Sequence, residues 1–266
     1  MTKFVEYRTA LPFTTEQYEI ASRYTSAKMK LEETGDNKGY ETIHNYEPYE
    51  QPNLGLGIAD YQILHISDQL PTVLRSLLPR GAEELRITNF IKYPRARTEI
   101  TNPSYMKENF HILIDAICET GNAAAENPLM LPDDKLTQRR VIKIDLIDPY
   151  LSTEDLALTP KLADLPLQAR DNVPLTSNWQ NSEANQIIVC QFFEIEFKWW
   201  GLQDSAEARI EKAMYRIFAI YFRRMYAWMD QWHNMTLTDV ANYENEVKDK
   251  LNQKRLSSEF TGLKFY

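Results

Sequence analysis

One stretch of the chain, from Phe192 to Trp232, restricts its fold more than any other. It begins with the segment FFEIEFK, in which apolar and charged residues alternate as in a β-strand with one buried face. The segment WWGLQ follows at residues 199–203 and leads into a long aromatic helix, for which Asp204 or Ser205 can be the N-cap. Both elements need an apolar partner. The sequence therefore predicts a helix packed on a sheet.

The apolar side chains of this helix form one stripe, because they recur at steps of three and four residues. Its members are Ile210, Met214, Ile217, Tyr221, Met225, Trp228 and Trp232. Phe218, Phe222 and Met229 make the stripe wider than packing on a single neighbour needs. The helix is therefore expected to lie across a curved sheet or along the wall of a cavity. An ordinary thick core is the alternative that the residues leave open.

Trp199 and Trp200 are adjacent, and neighbouring side chains of a strand point to opposite faces. At least one of the two indoles is therefore expected to face outward. An exposed indole at the junction of a strand and a helix suits a membrane–water interface, because its apolar ring and its N–H group both find partners there. A buried pair at a corner of the fold is the alternative.

The composition is that of a globular chain without a large basic surface. It is 43% hydrophobic and 12% aromatic, and its net charge is −8 at pH 7. The sequence has no basic cluster of the kind that nucleic-acid binders carry. Its negative charge disfavours long residence on an anionic membrane. No linker rich in glycine, serine or charge divides the sequence, so we expect one domain over residues 1–266. Without a signal peptide or an apolar run of ~18 residues, we expect a cytoplasmic protein that touches membranes transiently.

The residues that carry metal or covalent chemistry form no recognisable set. Cys118 and Cys190 are far apart, as expected for buried thiols and not for a disulfide framework. The four histidines share no ligand spacing, and no nucleophile, phosphate-loop or zinc motif occurs. We therefore expect no metal site, no cofactor and no enzymatic activity.

The remaining segments alternate between strand and helix patterns. Strands are expected at residues 3–10, 40–46, 58–66, 85–100, 105–119 and 141–147. Helices are expected from Thr14 or Thr15 to about Glu33 and from Thr236 or Thr238 to about Leu256. The sequence EPYE at residues 47–50 predicts a turn, and residues 85–119 predict a long hairpin. The sheet is therefore expected to be mostly antiparallel.

Two segments without a clear place in the sheet attract attention. Residues 148–183 are rich in Pro, Asp and Asn, which predicts a long surface loop held by Trp179, with a functional or regulatory role. A short helix is predicted between Pro71 and Pro79. Its apolar residues are Val73, Leu74, Leu77 and Leu78, and it is either a gate-like element or a plain connection.

Motifs spread over most of the chain resemble one known family. They are KFVEYRTALP at 3–12, EPYE at 47–50, Tyr93-Pro94 with Arg97-Thr98, Ile100-Thr101-Asn102, Tyr105-Met106-Lys107-Glu108, Asn178-Trp179 and FKWWGLQ at 197–203. These motifs are similar to those of the phosphatidylinositol transfer protein family of class I, and FKWWGLQ is highly specific. The resemblance implies an α+β, START-like helix-grip fold. In that fold a curved, mostly antiparallel sheet is closed by long helices around an internal lipid cavity.

The resemblance also implies roles for individual residues. Trp199 and Trp200 would dock on membranes, and the helix with Val73, Leu74, Leu77 and Leu78 would be the lipid-exchange gate. The lipid-headgroup pocket would comprise Asp60, Gln62, Ile91, Thr98, Gln191 and Asn245. Thr98 matches the family, and Ser22 and Ala116 fall at two further phosphate-contact positions.

Most of these pocket positions depart from the family. They are Asp60 (Thr in the family), Gln62 (Lys), Ile91 (Asn), Gln191 (Lys) and Asn245 (Glu). Glu244 or Glu246 would serve in place of Asn245 after a small rotation of the last helix. Each inositol hydroxyl that is buried without a partner costs roughly 1–3 kcal/mol, so we expect weak or absent selectivity for phosphatidylinositol. A headgroup such as that of phosphatidylcholine is expected instead, with Asp60 as a partner for its cation.

The expected function is therefore that of a soluble, monomeric phospholipid-transfer protein. It would bind one phospholipid internally and exchange it between membranes, so its partners would be phospholipid and, transiently, a membrane surface. The lipid would be cargo and not a cofactor. A START-like lipid sensor that presents its ligand to a protein partner through the long loop is the alternative.

Overall fold

A computed structural model describes residues 2–35, 38–52, 54–66, 81–121, 124–181, 184–199, 201 and 203–255. Strands of this part of the chain form one eight-stranded sheet. The strands are β1 (Lys3–Leu11), β2 (Gly39–Gln51), β3 (Gly55–His65), β4 (Glu84–Lys92), β5 (Arg95–Thr101), β6 (Phe110–Thr120), β7 (Arg140–Ile144) and β8 (Ile187–Phe197). Their order across the sheet is β2-β3-β4-β5-β6-β8-β1-β7.

The sheet is mixed but mostly antiparallel, as predicted. Neighbouring strands run antiparallel, except that β1 and β7 pair in parallel. The α+β class is confirmed, and the long helices on this sheet are consistent with a START-like fold. Within the described residues, no helix is both long enough and apolar enough to span a membrane.

The helices vary widely in length. They are α1 (Thr15–Glu32), α2 (Asp133–Gln138), α3 (Thr153–Leu156), α4 (Gln203–Ala227), α5 (Met229–Trp232) and α6 (Leu237–Arg255). Thr14 caps α1 through a capping box, in which its hydroxyl accepts from Gln17 N and the Gln17 amide accepts from Thr14 N. We call the side of the sheet that faces α1 and α4 its inner face.

In the segment FEIEF of β8, apolar and charged residues alternate between the two faces of the sheet, as predicted. Phe193 and Ile195 are buried on the inner face, where the Phe193 ring meets the Phe218 ring of α4 edge-on at 5.4 Å. Glu194 lies on the other face and pairs with Lys135 of α2. The strand therefore carries the central part of the core.

The wide apolar stripe of α4 has two partners. Its inner side packs on the sheet, and its outer side packs on the segment from residue 146 to 181. The segment contributes the buried side chains of Leu146, Leu162, Leu167, Leu175 and Trp179 to the core. They share one cluster with Phe222 and Met225, so a helix lying between two layers explains the width of the stripe.

Three predicted boundaries were wrong. The helix predicted to run to Trp232 ends at Ala227, because Trp228 leaves the helical conformation and α5 follows as a separate turn. The predicted strand 85–100 is two strands, β4 and β5, with a turn at Tyr93-Pro94. Residues 47–50 are not a turn but part of β2, an edge strand that tolerates Pro48.

The segment predicted as a long loop contains short helical turns, and hydrogen bonds of Arg223 and Asp230 fix it to α4 and α5. Arg223 is 3% exposed and donates hydrogen bonds to the carbonyls of Leu146, Ile147 and Pro160 and to the hydroxyl of Thr159. Asp230 accepts from the backbone amides of residues 168 and 169 at 3.0 and 2.8 Å. Trp179 is buried and helps to hold the segment, as predicted.

Candidate functional site

Three neighbouring rows of paired residues cross the inner face of the sheet. The first row is Asp60, Asn89, Thr98, Ile114 and Phe193; the second is Gln62, Ile87, Ile100, Ile112 and Ile195; the third is Ile58, Ile91, Ala96, Ala116 and Gln191. Paired residues of adjacent strands project from the same face. The fold thus brings five of the six predicted pocket residues onto one face, whereas Asn245 lies elsewhere.

Asp60 is the centre of a hydrogen-bonded cluster at the β3 end of these rows. It is 1% exposed and lies 3.1 Å from the ammonium nitrogen of Lys30 in α1. Its other carboxylate oxygen accepts a 2.6 Å hydrogen bond from the amide of Asn89. Asn89 in turn accepts from the hydroxyl of Thr98 at 2.7 Å. A buried charge held in this way is a charge-assisted network and not an isolated ion.

Gln62 adds a second amide to the cluster and leaves one of its own atoms unpaired. Its side-chain nitrogen donates to Asp60, and the residue is fully buried. Its carbonyl oxygen has no hydrogen-bond partner among the described residues. The orientation of this amide follows from chemistry, because an ionised carboxylate only accepts and must face the N–H groups. The Asp60 cluster (Lys30, Asp60, Gln62, Asn89 and Thr98) therefore contains an acceptor without a donor.

An irregular stretch of β2 borders this cluster. The pairing with β3 shifts between His44 and Glu47, so that Asn45 and Tyr46 stand opposite Asp60. Such a bulge redirects side chains and is common beside functional sites. Tyr46 lies inside the protein, where burial first and then the charge of Asp60 raise the pKa of its phenol well above the ordinary value.

A second buried ion pair lies on the other side of Tyr46. Arg23 of α1 donates to both carboxylate oxygens of Glu244 in α6, at 3.0 and 2.5 Å. Desolvation lowers the pKa of Arg23, but the hydrogen bond and charge of Glu244 outweigh it and the pKa is raised. The guanidinium lies 5.4 Å from the Tyr46 ring centre, and the Lys30 ammonium lies 5.8 Å from it. The charges of the two ion pairs cancel, so this region is polar without a net charge.

The last helix presents Glu244 to the interior, and not Asn245. Asn245 is exposed and accepts a 2.8 Å hydrogen bond from Asn45. Glu246 is exposed as well and lies 3.6 Å from Lys250. Of the three candidates on α6, Glu244 is therefore the one that borders the Asp60 cluster.

One side of helix α1, above the inner face of the sheet, is polar. Ser22, Ser26 and Lys30 recur at steps of four residues and so share one side of the helix. The phenol of Tyr221 in α4 donates to Ser22 O at 2.9 Å and lies 3.3 Å from the hydroxyl of Ser26. The predicted contact at Ser22 thus lies among other hydroxyl groups.

Five interior tyrosines are removed from bulk water yet keep part of their surface accessible. They are Tyr18, Tyr40, Tyr46, Tyr93 and Tyr221. Desolvation is the largest cause that raises the pKa of each phenol. The five phenols are therefore shielded from bulk water, and they lie on α1, α4, β2 and the turn between β4 and β5.

Gln191 is the polar residue at the far end of the third row. It is 6% exposed, and its carbonyl oxygen has no partner among the residues described. The row between it and Ile91 contains Ala96 and Ala116, whose small side chains leave room above the sheet. The inner face therefore has polar groups at two ends with an apolar surface between them.

Trp199 lies at the surface, in agreement with the expectation that one indole faces outward. It is 38% exposed, and its ring stacks on Phe197 at 6.2 Å and lies 6.0 Å from Tyr105. Trp200 lies outside the described residues, as do the four predicted gate residues, Val73, Leu74, Leu77 and Leu78.

Two residues of the Asp60 cluster, Lys30 and Asn89, are not among the site residues predicted from the sequence. Asn89 lies two residues before Ile91 on the same face of β4. The asparagine that the family has at the position of Ile91 is therefore matched here by an asparagine in the neighbouring row. Lys30 follows Ser22 by eight residues along α1. Both signals were present in the spacing, but the pairing across strands that makes them neighbours of Asp60 was not.

Among the described residues, those that could support metal or thiol chemistry do not assemble into a site. His65 pairs with Glu41 at 2.9 Å and His111 with Glu99 at 2.8 Å. No group of three or more potential metal ligands occurs in the described part of the chain. Both cysteines are buried and free, and burial raises the pKa of each thiol to about 12.

Comparisons with known proteins agree with this picture over nearly the whole chain. A sequence model of the family named phosphatidylinositol transfer protein matches residues 2–249. The human phosphatidylinositol transfer protein beta isoform is 30% identical over 267 residues, or 96% of this chain and 95% of that protein. Cytoplasmic phosphatidylinositol transfer protein 1 of Drosophila melanogaster is 30% identical over 256 residues, or 96% and 92%. Phosphatidylinositol transfer protein 1 of Dictyostelium discoideum is 29% identical over 251 residues, or 94% of each.

The names of these relatives describe the transfer of a lipid and not its chemical conversion, which agrees with the expectation of a protein without enzymatic activity. The match extends from the first strand to the last helix and so includes every element that builds the inner face. The chain therefore belongs to the phosphatidylinositol transfer protein family.

Proposed function

We propose that this protein is a cytoplasmic phospholipid-transfer protein that binds one phospholipid between the inner face of the sheet and the helices, and exchanges it between membranes. The observation that carries the proposal is the inner face itself. It has a buried polar cluster at Asp60, beside an apolar surface of isoleucines that lies under the long helices. A phospholipid has the same division into a polar headgroup and apolar chains.

Burial of the acyl chains would supply most of the binding energy, at ~0.8 kcal/mol for each CH₂ group. The purified protein should therefore carry about one extractable lipid per chain, which native mass spectrometry would show directly. It should also move labelled lipid between vesicles. A one-to-one adduct without transfer would favour the lipid-sensor alternative, whereas no adduct and no transfer would contradict the proposal.

For the headgroup, we propose a zwitterionic lipid such as phosphatidylcholine in preference to phosphatidylinositol. A pocket for a phosphodiester without a cationic group should be positively charged, but Asp60 balances Lys30 and Glu244 balances Arg23. The amide of Asn89 is already used by Asp60 and Thr98. Little of this amide therefore remains for inositol hydroxyls.

Competition between donor vesicles that contain phosphatidylcholine or phosphatidylinositol tests this preference. The double variant Asp60→Thr, Gln62→Lys removes the negative charge and adds a positive one beside Lys30. It should raise phosphatidylinositol transfer several-fold and affect phosphatidylcholine transfer less. Asn245→Glu alone should change neither, because Asn245 faces outward. A clear phosphatidylinositol preference of the unmodified protein would contradict the headgroup proposal but not the transfer function.

A further inference from the structure

Asp60 already binds a primary ammonium group. The Lys30 ammonium lies 3.1 Å from one of its carboxylate oxygens, inside the protein. Gln62 and Asn89 also donate hydrogen bonds from their side-chain amides to this carboxylate. The lysine therefore shows which kind of cation this carboxylate accepts.

The unpaired carbonyl of Gln62 indicates that the cluster can accept further N–H groups. It belongs to the same amide whose nitrogen contacts Asp60, so the carbonyl and the carboxylate are neighbouring acceptors. A buried carbonyl without a donor is unfavourable and rare in folded proteins. A cation with several N–H groups would satisfy both acceptors at once.

We propose, on the basis of the proposed function, that the site prefers phosphatidylethanolamine, the zwitterionic lipid whose headgroup carries a primary ammonium. The ethanolamine ammonium takes the place of the Lys30 ammonium at Asp60 and also donates to the Gln62 carbonyl. Lys30 then pairs with the phosphate of the same lipid. The two ions exchange partners, so no buried charge is left alone.

Lys30 is the more accessible partner of the ion pair, because its side chain is 15% exposed and that of Asp60 is 1% exposed. A small crevice between α1, β2 and α6 is lined by Lys30, Tyr46 and Glu244. Ser26 and Ser22 extend from Lys30 along the same side of α1. A lysine that turns from Asp60 toward these serines meets a phosphate among hydroxyl groups.

The other common headgroups fit the cluster less well. Choline has no N–H group, so it would leave the Gln62 carbonyl unpaired when it displaced Lys30. Inositol carries no cation for Asp60. Serine carries the ammonium together with a carboxylate, which Asp60 and the nearby Glu244 would repel, since Arg23 is already paired with Glu244.

Competitive transfer from vesicles tests the proposal with four lipids of identical acyl chains: phosphatidylethanolamine, phosphatidylcholine, phosphatidylinositol and phosphatidylserine. We expect phosphatidylethanolamine to be preferred to phosphatidylcholine about tenfold, or ~1.4 kcal/mol. Asp60→Asn should reduce this ratio toward one. Asp115→Asn is the matched control, because Asp115 pairs with Arg97 on the opposite face of the same sheet, and its ratio should equal that of the unmodified protein.

Gln62→Met supplies an independent test that keeps the ion pair of Lys30 and Asp60. It removes the unpaired carbonyl at nearly constant volume and should also lower the ratio, so it decides the question if Asp60→Asn does not fold. Equal transfer of phosphatidylethanolamine and phosphatidylcholine, or folded variants with unchanged ratios, would overturn this inference and leave the transfer function intact. Absence of transfer of all four lipids would overturn both. Soluble glycerophosphoethanolamine should not compete, and competition by it would show that the site takes a soluble ligand.

Discussion

Arg223 and Asp60 are both charged and almost fully buried, yet their partners differ in kind. Arg223 donates to three backbone carbonyls and one hydroxyl, all from the segment between residues 146 and 160. Asp60 is bound by three side chains from three elements, and one of them, Gln62, has an acceptor to spare. The first arrangement is complete in itself. The second can change partners.

The difference teaches how a buried polar group that holds the fold can be told from one that is suited to a ligand. Backbone carbonyls fixed by packed turns cannot leave Arg223 without unfolding the segment that carries them. The side chains of Lys30 and Gln62 can rotate while their helix and strand stay in place. Burial alone is the same in both cases, so the nature of the partners carries the information.

The largest effect that we predict follows from removing the complete arrangement. Arg223→Met should lower the free energy of unfolding by on the order of 3 kcal/mol, because several buried acceptors lose their donor together. Arg223→Lys should lower it less, since one ammonium can still serve some of them. Chemical denaturation measures the loss. Protein that still folds should transfer the different headgroups in the same ratio as the unmodified protein. A changed ratio would contradict a purely structural role of Arg223.

The second effect separates delivery of the lipid from its selection. Replacing Trp199 and Trp200 together by Ala should lower transfer by roughly tenfold if the indoles bind the membrane interface, since Trp199 is 38% exposed in the folded protein. If the pair is a docking element and not part of the core, the free energy of unfolding should change by less than about 1 kcal/mol. Transfer assays and thermal melts of the same preparation measure both. A collapse of the melting temperature would show that the pair is part of the core and not a docking element.

The sequence was most informative where the pattern within a single element decides which face is buried. The alternation in β8 predicted the inner face of that strand, and the width of the stripe on α4 indicated more than one packing partner. Five of the pocket residues that the resemblance implies lie on one face, because the matching motifs carry the alternation of whole strands with them.

The sequence was uninformative where two elements must be aligned. Asn89 meets Asp60 only through the register of β4 on β3, and Tyr46 enters the interior only through a bulge. The register of strands depends on turn geometry and packing, which one residue pattern does not contain. For α6, the difference between Glu244 and Asn245 is one residue of helix rotation, about 100°, which decides between interior and solvent.

The smallest effect that we predict is the further protection of one of the two cysteines by bound lipid. Cys118 follows Ala116 by two residues and lies on the inner face, near Tyr93, whereas Cys190 lies on the opposite face. Burial raises the pKa of both thiols from 9.0 to about 12, so native thiols stay protonated at pH 8 and up to well above pH 9, where unfolded thiols ionise. Because the thiolate is the reactive form, alkylation of the native protein should be at least tenfold slower than in denaturant.

Loading with lipid should slow alkylation of Cys118 by a further few-fold and leave Cys190 unchanged, as mass spectrometry of the labelled peptides would show. Equal protection of both cysteines would mean that the lipid stabilises the whole sheet and does not cover its inner face in particular.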